Sequence, residues 1–386
     1  MGPRFRGDDK SDRNADMSET LDDLPIRPVL KALVNPPQFK PAPGGMRFMQ
    51  FNEGAWPPSP KVVAAIAAAA TQVNRYGDSH WSKLAPAIAA RTGVAPECII
   101  CGNGSAELIT LASTAFIEPG RTCVVSTPSF PRLGGGSRIA GGAIKAVPVK
   151  PDGAHDIEAL LAAVDKDTRL FWLTTPNNPT GAAVDAAELR HIAQSLPAHA
   201  ILAVDEAYGE FSRAGGGIDA LEELKGTKRP WFVMRTFSKA YGMAGLRVGY
   251  GFMNSPALAE AFHRVRNTFN LNVIAQAAAL AAFEDQDYMW ARVKECVAER
   301  ERLGARVEGL GLRCLKSAGN FLLIEVPMEA AAAQAAIRQH GVAISTIKAP
   351  GYERHIRVTI GLKDDNDAFF AALSQTVAPE RARKTA

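Results

Sequence analysis

The chain has 386 residues, 47% of them hydrophobic, and carries 44 Lys and Arg against 40 Asp and Glu, a formal net charge of +4. That length can bury a large core and fits two intertwined domains, while the modest charge, with basic clusters only at the two ends, argues against a nucleic-acid partner. No run of about 18 apolar residues is present to span a bilayer, and five unevenly spread cysteines point to a reducing compartment, hence a cytoplasmic chain.

Residues 1–20 read as a disordered extension without the apolar segment of a secretory signal, and Met17 is a second candidate start of translation. Residues 21–58 read as an N-terminal arm belonging in part to a small domain, 59–260 as a large domain, and 261–386 as a connecting helix and the small C-terminal domain. The alanine-rich stretches Val62 to Ala70 and Ala330 to Ile337 suit helices. Strand signals near 98–101, 122–126, 144–149, 170–174, 200–204, 231–236 and 247–252 alternate with helix signals, which predicts an α/β fold with a mainly parallel central sheet. Cys98 and Cys101 have the spacing of a metal or redox pair, yet no second pair accompanies them and a strand would put them on opposite faces. They read as core thiols, and no metal is expected. The glycine runs 134–136 and 215–217 read as loops. From Asn254-Ser255-Pro256 a helix-rich segment reaches about 305, and strands at 319–326 and 357–360 flank a helix in a smaller α+β unit.

Chemistry concentrates in Thr236-Phe237-Ser238-Lys239-Ala240-Tyr241-Gly242-Met243-Ala244-Gly245-Leu246-Arg247. Lys239 is an amine able to form a Schiff base with an aldehyde, and partial desolvation brings a lysine's pKa toward that of a nucleophile and base. Thr236, Ser238 and Arg247 offer hydroxyls and a guanidinium fork to a phosphate. The ligand this implies is pyridoxal 5′-phosphate (PLP), although the run equally suits a turn with a solvated lysine.

Three upstream segments break that tie. The apolar run 200–204 ends in Asp205-Glu206-Ala207-Tyr208, a buried strand whose carboxyl end opens on a ligand crevice. Asp205 there can hold a proton on a pyridine nitrogen, and Tyr208 can donate to the ring oxygen; by itself Asp205 is equally a strand-end or capping acid. The strand 170–174 leads into Pro176-Asn177-Asn178-Pro179-Thr180-Gly181, a rigid turn able to aim the Asn178 amide at the same oxygen, or simply a structural turn. Gly104, Ser105 and Ala106 open a helix after the strand at 98–101, so their backbone N–H groups can face a phosphate, a weak signal without the others.

With these segments the chain resembles fold-type I PLP enzymes, the class I/II aminotransferases, and within them the histidinol-phosphate aminotransferase branch. The resemblance also rests on Asn52-Glu53-Gly54-Ala55-Trp56-Pro57-Pro58-Ser59-Pro60, on Arg75-Tyr76-Gly77-Asp78 and on His355-Ile356-Arg357-Val358-Thr359-Ile360-Gly361, in family order from about residue 50 to the end. It implies a PLP-transferase fold type I and a homodimer with shared active sites. Phe130 would stack on the pyridine face, Tyr76 would reach the cofactor phosphate of the neighbouring subunit, Arg357 would fork onto the substrate carboxylate, and Asn52 and Trp56 would line the substrate site beside Asn178.

Two segments depart from the branch. Gly54-Ala55-Trp56-Pro57 stands where the branch shows Asn-Pro-Tyr-Gly, and Ala343-Ile344-Ser345-Thr346-Ile347-Lys348-Ala349-Pro350 lacks the arginine for a substrate phosphate. The expected reaction is therefore ping-pong transfer of an amino group from an amino acid or an amino-acid-like amine to a 2-oxo acid, an unphosphorylated side chain gaining weight, with Lys239 as Schiff base and proton shuttle. The alternatives are histidinol-phosphate transamination and a same-fold decarboxylase or lyase of the threonine-phosphate decarboxylase type. The roughly 45 residues before the first motif are too few for the DNA-binding domain of a PLP-sensing regulator. A dinucleotide-binding dehydrogenase is excluded because no Gly-x-Gly-x-x-Gly follows an early strand.

Overall fold

All seven apolar runs read as strands between 98 and 252 pair into one sheet. The computed structural model describes residues 24–31, 33 and 44–385, with side chains to 378; the expected extension at 1–20, with its basic cluster, lies outside the described residues, and the basic residues 381–384 fall in the backbone of the last helix. Residues Pro28–Lys31 form a single helical turn. From residue 44 on, the strands are β1 (Arg47–Phe48), β2 (Ile99–Gly102), β3 (Thr122–Thr127), β4 (Ala143–Pro148), β5 (Thr168–Thr174), β6 (Ile201–Asp205), β7 (Trp231–Thr236), β8 (Gly249–Met253), β9 (Arg313–Leu315), β10 (Phe321–Glu325), β11 (Val342–Ala343), β12 (Ser345–Thr346) and β13 (His355–Thr359).

The large sheet runs in the order β2-β8-β7-β6-β5-β3-β4. Parallel pairing joins β4, β3, β5, β6 and β7, while β8 lies antiparallel to both β7 and β2. Six strands thus point one way and β8 alone is reversed. Every residue of β6, β7 and β8 is buried, which is why these segments read as mostly apolar runs rather than as alternation.

Helix starts follow local chemistry. Ser255 accepts from the Leu258 N–H ahead of the helix Pro256–Val265, and Asp185 and Glu188 form a reciprocal capping box at Ala186–Ser195. The glycine run at 134–136 departs from the loop reading, for it lies inside the helix Pro131–Ile139. A Cβ at Gly134 would come 2.9 Å from Ile144 Cδ1, and one at Gly136 2.6 Å from Ser113 Oγ. Close packing of that helix on its neighbours, not loop freedom, is what those glycines serve. Cys98 belongs to the 3-10 turn Pro96–Cys98 that precedes β2 rather than to the strand; it and Cys101 are buried free thiols, raised in pKa by burial.

A second, antiparallel sheet has the order β12-β13-β10-β9, and β1 pairs in parallel with β11. The helices Ala330–Gln339 and Lys363–Thr385 pack against these strands. β1, β9, β11 and β12 escape sequence reading because two or three residues cannot display a period. Among the described residues no helix is long and apolar enough to cross a membrane.

Candidate active site

Parallel pairing brings five chain reversals to one edge of the large sheet. β2, β3, β5, β6 and β7 all end there, and the register sets Thr174 beside Asp205 and both Gly102 and Thr236 opposite Gly249. Ligand crevices of α/β sheets form at this carboxyl edge. The turn at Gly104, Ser105 and Ala106 follows β2, Phe130 follows β3, Asn178 follows β5, Tyr208 follows Asp205 at the end of β6, and Ser238 and Lys239 follow Thr236 at the end of β7. Arg247 enters β8 from the same edge, in a left-handed conformation at φ 57°.

Lys239 Nζ donates to the Phe51 carbonyl at 2.9 Å and lies 5.9 Å from the Tyr208 ring centre. Burial, and then the nearby Arg357 charge, bring its pKa down to about 8, so a usable fraction of the amine is uncharged near neutral pH. Asp205 is 5% exposed and burial pushes its pKa up to about 6 despite an N–H bond from Ala207 at 3.0 Å. A buried carboxyl in that state gains by meeting a cation. Behind it, Arg235 on β7 donates through Nε and Nη2 to Glu206 Oε2 at 2.9 and 2.8 Å, tying the ends of β6 and β7 together.

The two expected walls of a phosphate site meet. Thr236 Oγ1 lies 3.0 Å from Ser238 Oγ, and Arg247 Nη1 donates to that Ser238 hydroxyl at 3.4 Å. A Cβ on Gly104 would sit 2.7 Å from Arg247 Nη2, so only glycine, here at φ 73°, lets the guanidinium reach the start of the helix Ser105–Phe116. Gly104 provides no side-chain cap, leaving first-turn N–H groups directed at that space.

Arg357 stands on β13 over the Phe321 ring, 5.7 Å from its centre, and donates to the Gln50 carbonyl at 2.8 Å and to Asn178 Oδ1. Its Nε is buried without a hydrogen-bond partner. Asn178 Nδ2 in turn donates to the Tyr208 hydroxyl at 3.3 Å, and Asn52 Nδ2 donates to the same oxygen at 3.0 Å. Burial raises the Tyr208 pKa, which keeps that hydroxyl protonated. Asn52 itself is 1% exposed.

Of the remaining expected residues, Trp56 lines one crevice with Lys239, Tyr288 and Arg292, whose guanidinium carbon lies 6.0 Å from the indole centre. Phe130 is partly buried at the start of the helix Pro131–Ile139. Tyr76 stands apart, 82% exposed and stacked on Phe269 with ring centres 4.6 Å apart; none of its described contacts is to the other candidate residues. Sequence reading missed the backbone carbonyls of Gln50 and Phe51, which carry no residue signature, and Ser345, which lies opposite Arg357 in the sheet register. It also passed over Asn177, wholly buried, whose amide accepts from Ser129 and Thr174 and donates to the Pro128 carbonyl and Thr180, joining the turns that carry Phe130 and Asn178.

This geometry agrees with what the chain is similar to. Residues 48–373 match the family described as aminotransferase class I and II. Histidinol-phosphate aminotransferase 1 of Mesorhizobium japonicum is 35% identical over 334 residues, 86% of this chain and 91% of the relative. Histidinol-phosphate aminotransferase 2 of Caulobacter vibrioides is 39% identical over 322 residues, covering 83% and 84%. The crystal structure of histidinol-phosphate aminotransferase from Sinorhizobium meliloti, in complex with pyridoxal-5′-phosphate, superposes with a TM-score of 0.83 at 30% identity over 92% of this chain and 98% of that one. The amine, the buried acid and the guanidiniums at the sheet edge thus sit in a chain that belongs to the class I and II aminotransferase family.

Proposed function

We propose that this PLP-dependent aminotransferase takes the amino group of an α-amino acid with an unphosphorylated side chain and passes it to a 2-oxo acid, with Lys239 as the reacting amine. The observation that carries this reading is Lys239 itself, an amine at the sheet edge with a pKa of about 8, between an acid for a ring nitrogen and a guanidinium for a carboxylate. The surroundings fit PLP. Asp205 is a buried carboxyl in need of a cation, Arg357 has an unpartnered Nε, and Gly104 leaves room beside Arg247 that a Cβ would fill.

PLP, when bound, supplies an electron sink for the pair released on breaking the substrate Cα–H bond. The protein's residues do the rest. Lys239 Nζ would take the proton from Cα and deliver it to the cofactor's aldehyde-derived carbon, work that needs the uncharged amine its burial favours. Asp205 holds a proton on the ring nitrogen; Tyr208 and Asn178 address the ring oxygen; Thr236, Ser238, Arg247 and the N–H groups of Ser105 and Ala106 hold the phosphate. Phe130 covers one face of the ring. Arg357 exchanges its contacts with Asn178 and Gln50 for a substrate carboxylate, a planar fork to a planar anion. Tyr76, exposed in the single chain, completes the phosphate site of a second copy in a homodimer.

The donor follows from the segment before Arg357. Ala343 and Ile344 are buried, Ser345 Oγ donates to the Gln50 carbonyl at 2.8 Å, and Lys348 is the single cation in 343–350. A lone ammonium is a poorer match to a phosphate than an arginine fork. The test is a panel of amine donors mixed with PLP-loaded enzyme and no acceptor, scored by absorbance for conversion to the pyridoxamine form. Unphosphorylated amino acids are expected to convert it; reaction with histidinol phosphate alone would overturn the donor assignment, and carbon dioxide release would overturn transamination.

A further inference from the structure

Asn52 has a backbone few non-glycine residues adopt and a hydrogen-bond set that leaves little of it spare. Its φ is 53°, left-handed, and it is 1% exposed. Asparagine is among the side chains that tolerate this region best, but a buried one needs a reason to be there. Its N–H donates to Thr359 Oγ1 at 2.8 Å, its Oδ1 accepts from the same hydroxyl at 3.3 Å, and its carbonyl accepts from Asn320 Nδ2 at 3.2 Å. Nδ2 is left to donate to the Tyr208 hydroxyl at 3.0 Å.

Thr359 lies two residues beyond Arg357 on β13, and its own N–H donates to the Met49 carbonyl at 2.8 Å. Two arms therefore run from one strand of the small sheet to one oxygen, that of Tyr208 just past the end of β6. The first passes from Arg357 through Asn178 to Tyr208, the second from Thr359 through Asn52 to Tyr208. They differ in what a substrate does to them. A carboxylate arriving at Arg357 competes with Asn178 for the guanidinium, so the first arm loosens during each turnover. The second arm contains no group that a substrate anion would engage. Because Tyr208 accepts two amide N–H groups, its own proton is directed to a third partner.

We propose that Asn52 is a positioning residue: anchored on β13 by Thr359, it holds the Tyr208 hydroxyl donating toward the cofactor's ring oxygen while Arg357 changes partners. This rests on the cofactor reading above. A substrate-contacting or merely turn-forming Asn52 would behave differently when replaced.

The experiment uses PLP-loaded wild type, Asn52→Gly, Asn52→Asp and Thr359→Val. Glycine keeps the left-handed backbone and removes the amide; aspartate keeps the shape and replaces the donor by an acceptor that draws the Tyr208 proton away. Two readouts are taken: the pH at which the absorbance of the Lys239-linked cofactor titrates without substrate, and the split between kcat and KM for the amino donor. A donor at the ring oxygen stabilises its negative charge and so disfavours protonation of the linkage. Losing the amide that directs this Tyr208 donor in Asn52→Gly should raise the titration pH by about one unit and lower kcat about tenfold, with KM changed by less than about threefold. Asn52→Asp should shift further, and Thr359→Val in the same direction but less. Titration at the wild-type pH in all variants, with only thermal stability lowered, would overturn the proposal, as would a change confined to KM. Failure of wild type to take PLP on Lys239 would instead overturn the cofactor reading, and the proposal with it.

Discussion

The edge of the large sheet and the cleft beside the small one are assembled by opposite routes. At the edge, the groups proposed to react with or hold the cofactor from this chain arrive within a few residues of a strand end: Asn178 after β5, Asp205 at the end of β6, Lys239 after β7. In the cleft, Arg357 is met by the Gln50 carbonyl, the Asn178 amide and the Phe321 ring, from segments far apart in sequence. One half is built by topology and the other by long-range contacts. Replacements at the edge should therefore abolish chemistry, and replacements in the cleft should change which substrates are held.

The largest expected effect is at the edge. Lys239→Ala should reduce turnover by about 10⁴-fold while PLP still binds through Arg247, Ser238 and Asp205, seen as retained cofactor after gel filtration. Near-normal turnover would break the distinction at its strongest point. Next comes Arg357→Lys in the cleft. Loss of the fork should raise KM for the amino donor about 10–100-fold with a smaller change in kcat, measured by steady-state kinetics; an equal fall in kcat at unchanged KM would move Arg357 into the chemical step.

The smallest effect is thermodynamic. Burial holds Asp205 near pKa 6, above an ordinary carboxyl, so folding favours its protonated form. That contribution is complete below about pH 4 and is lost as pH rises through about 6. The cofactor-free Asp205→Asn protein should match wild type at pH 4 and exceed it at pH 8 by on the order of 2 kcal/mol in urea unfolding. A wild-type apoprotein that gains stability over the same range relative to the variant would show that Asp205 is paired without the cofactor.

The same contrast explains what the sequence makes legible. The central strands β6, β7 and β8 are legible because they are buried throughout and therefore mostly apolar, with Asp205, Arg235 and Thr236 as the exceptions near their site ends. The residues proposed to hold the cofactor stand out in sequence because they sit in short turns with strong chemistry, the lysine beside two hydroxyls above all. The cleft was not, since a carbonyl such as that of Gln50 or Phe51 has no residue code, and Asn52 looks in sequence like a group facing substrate although it is buried against Thr359 and Tyr208. Gly134 and Gly136 mislead for a related reason: their meaning lies in Ile144 and Ser113, which approach from other elements.

Lys239 is the amine proposed to take PLP. Incubating the protein with PLP, reducing with borohydride and mapping the peptides locates that bond directly. The expected label lies on Lys239 and forms faster at pH 9 than at pH 7, as an amine with a pKa of about 8 requires. Label on another lysine, with Lys239 unmodified at both pH values, would contradict it.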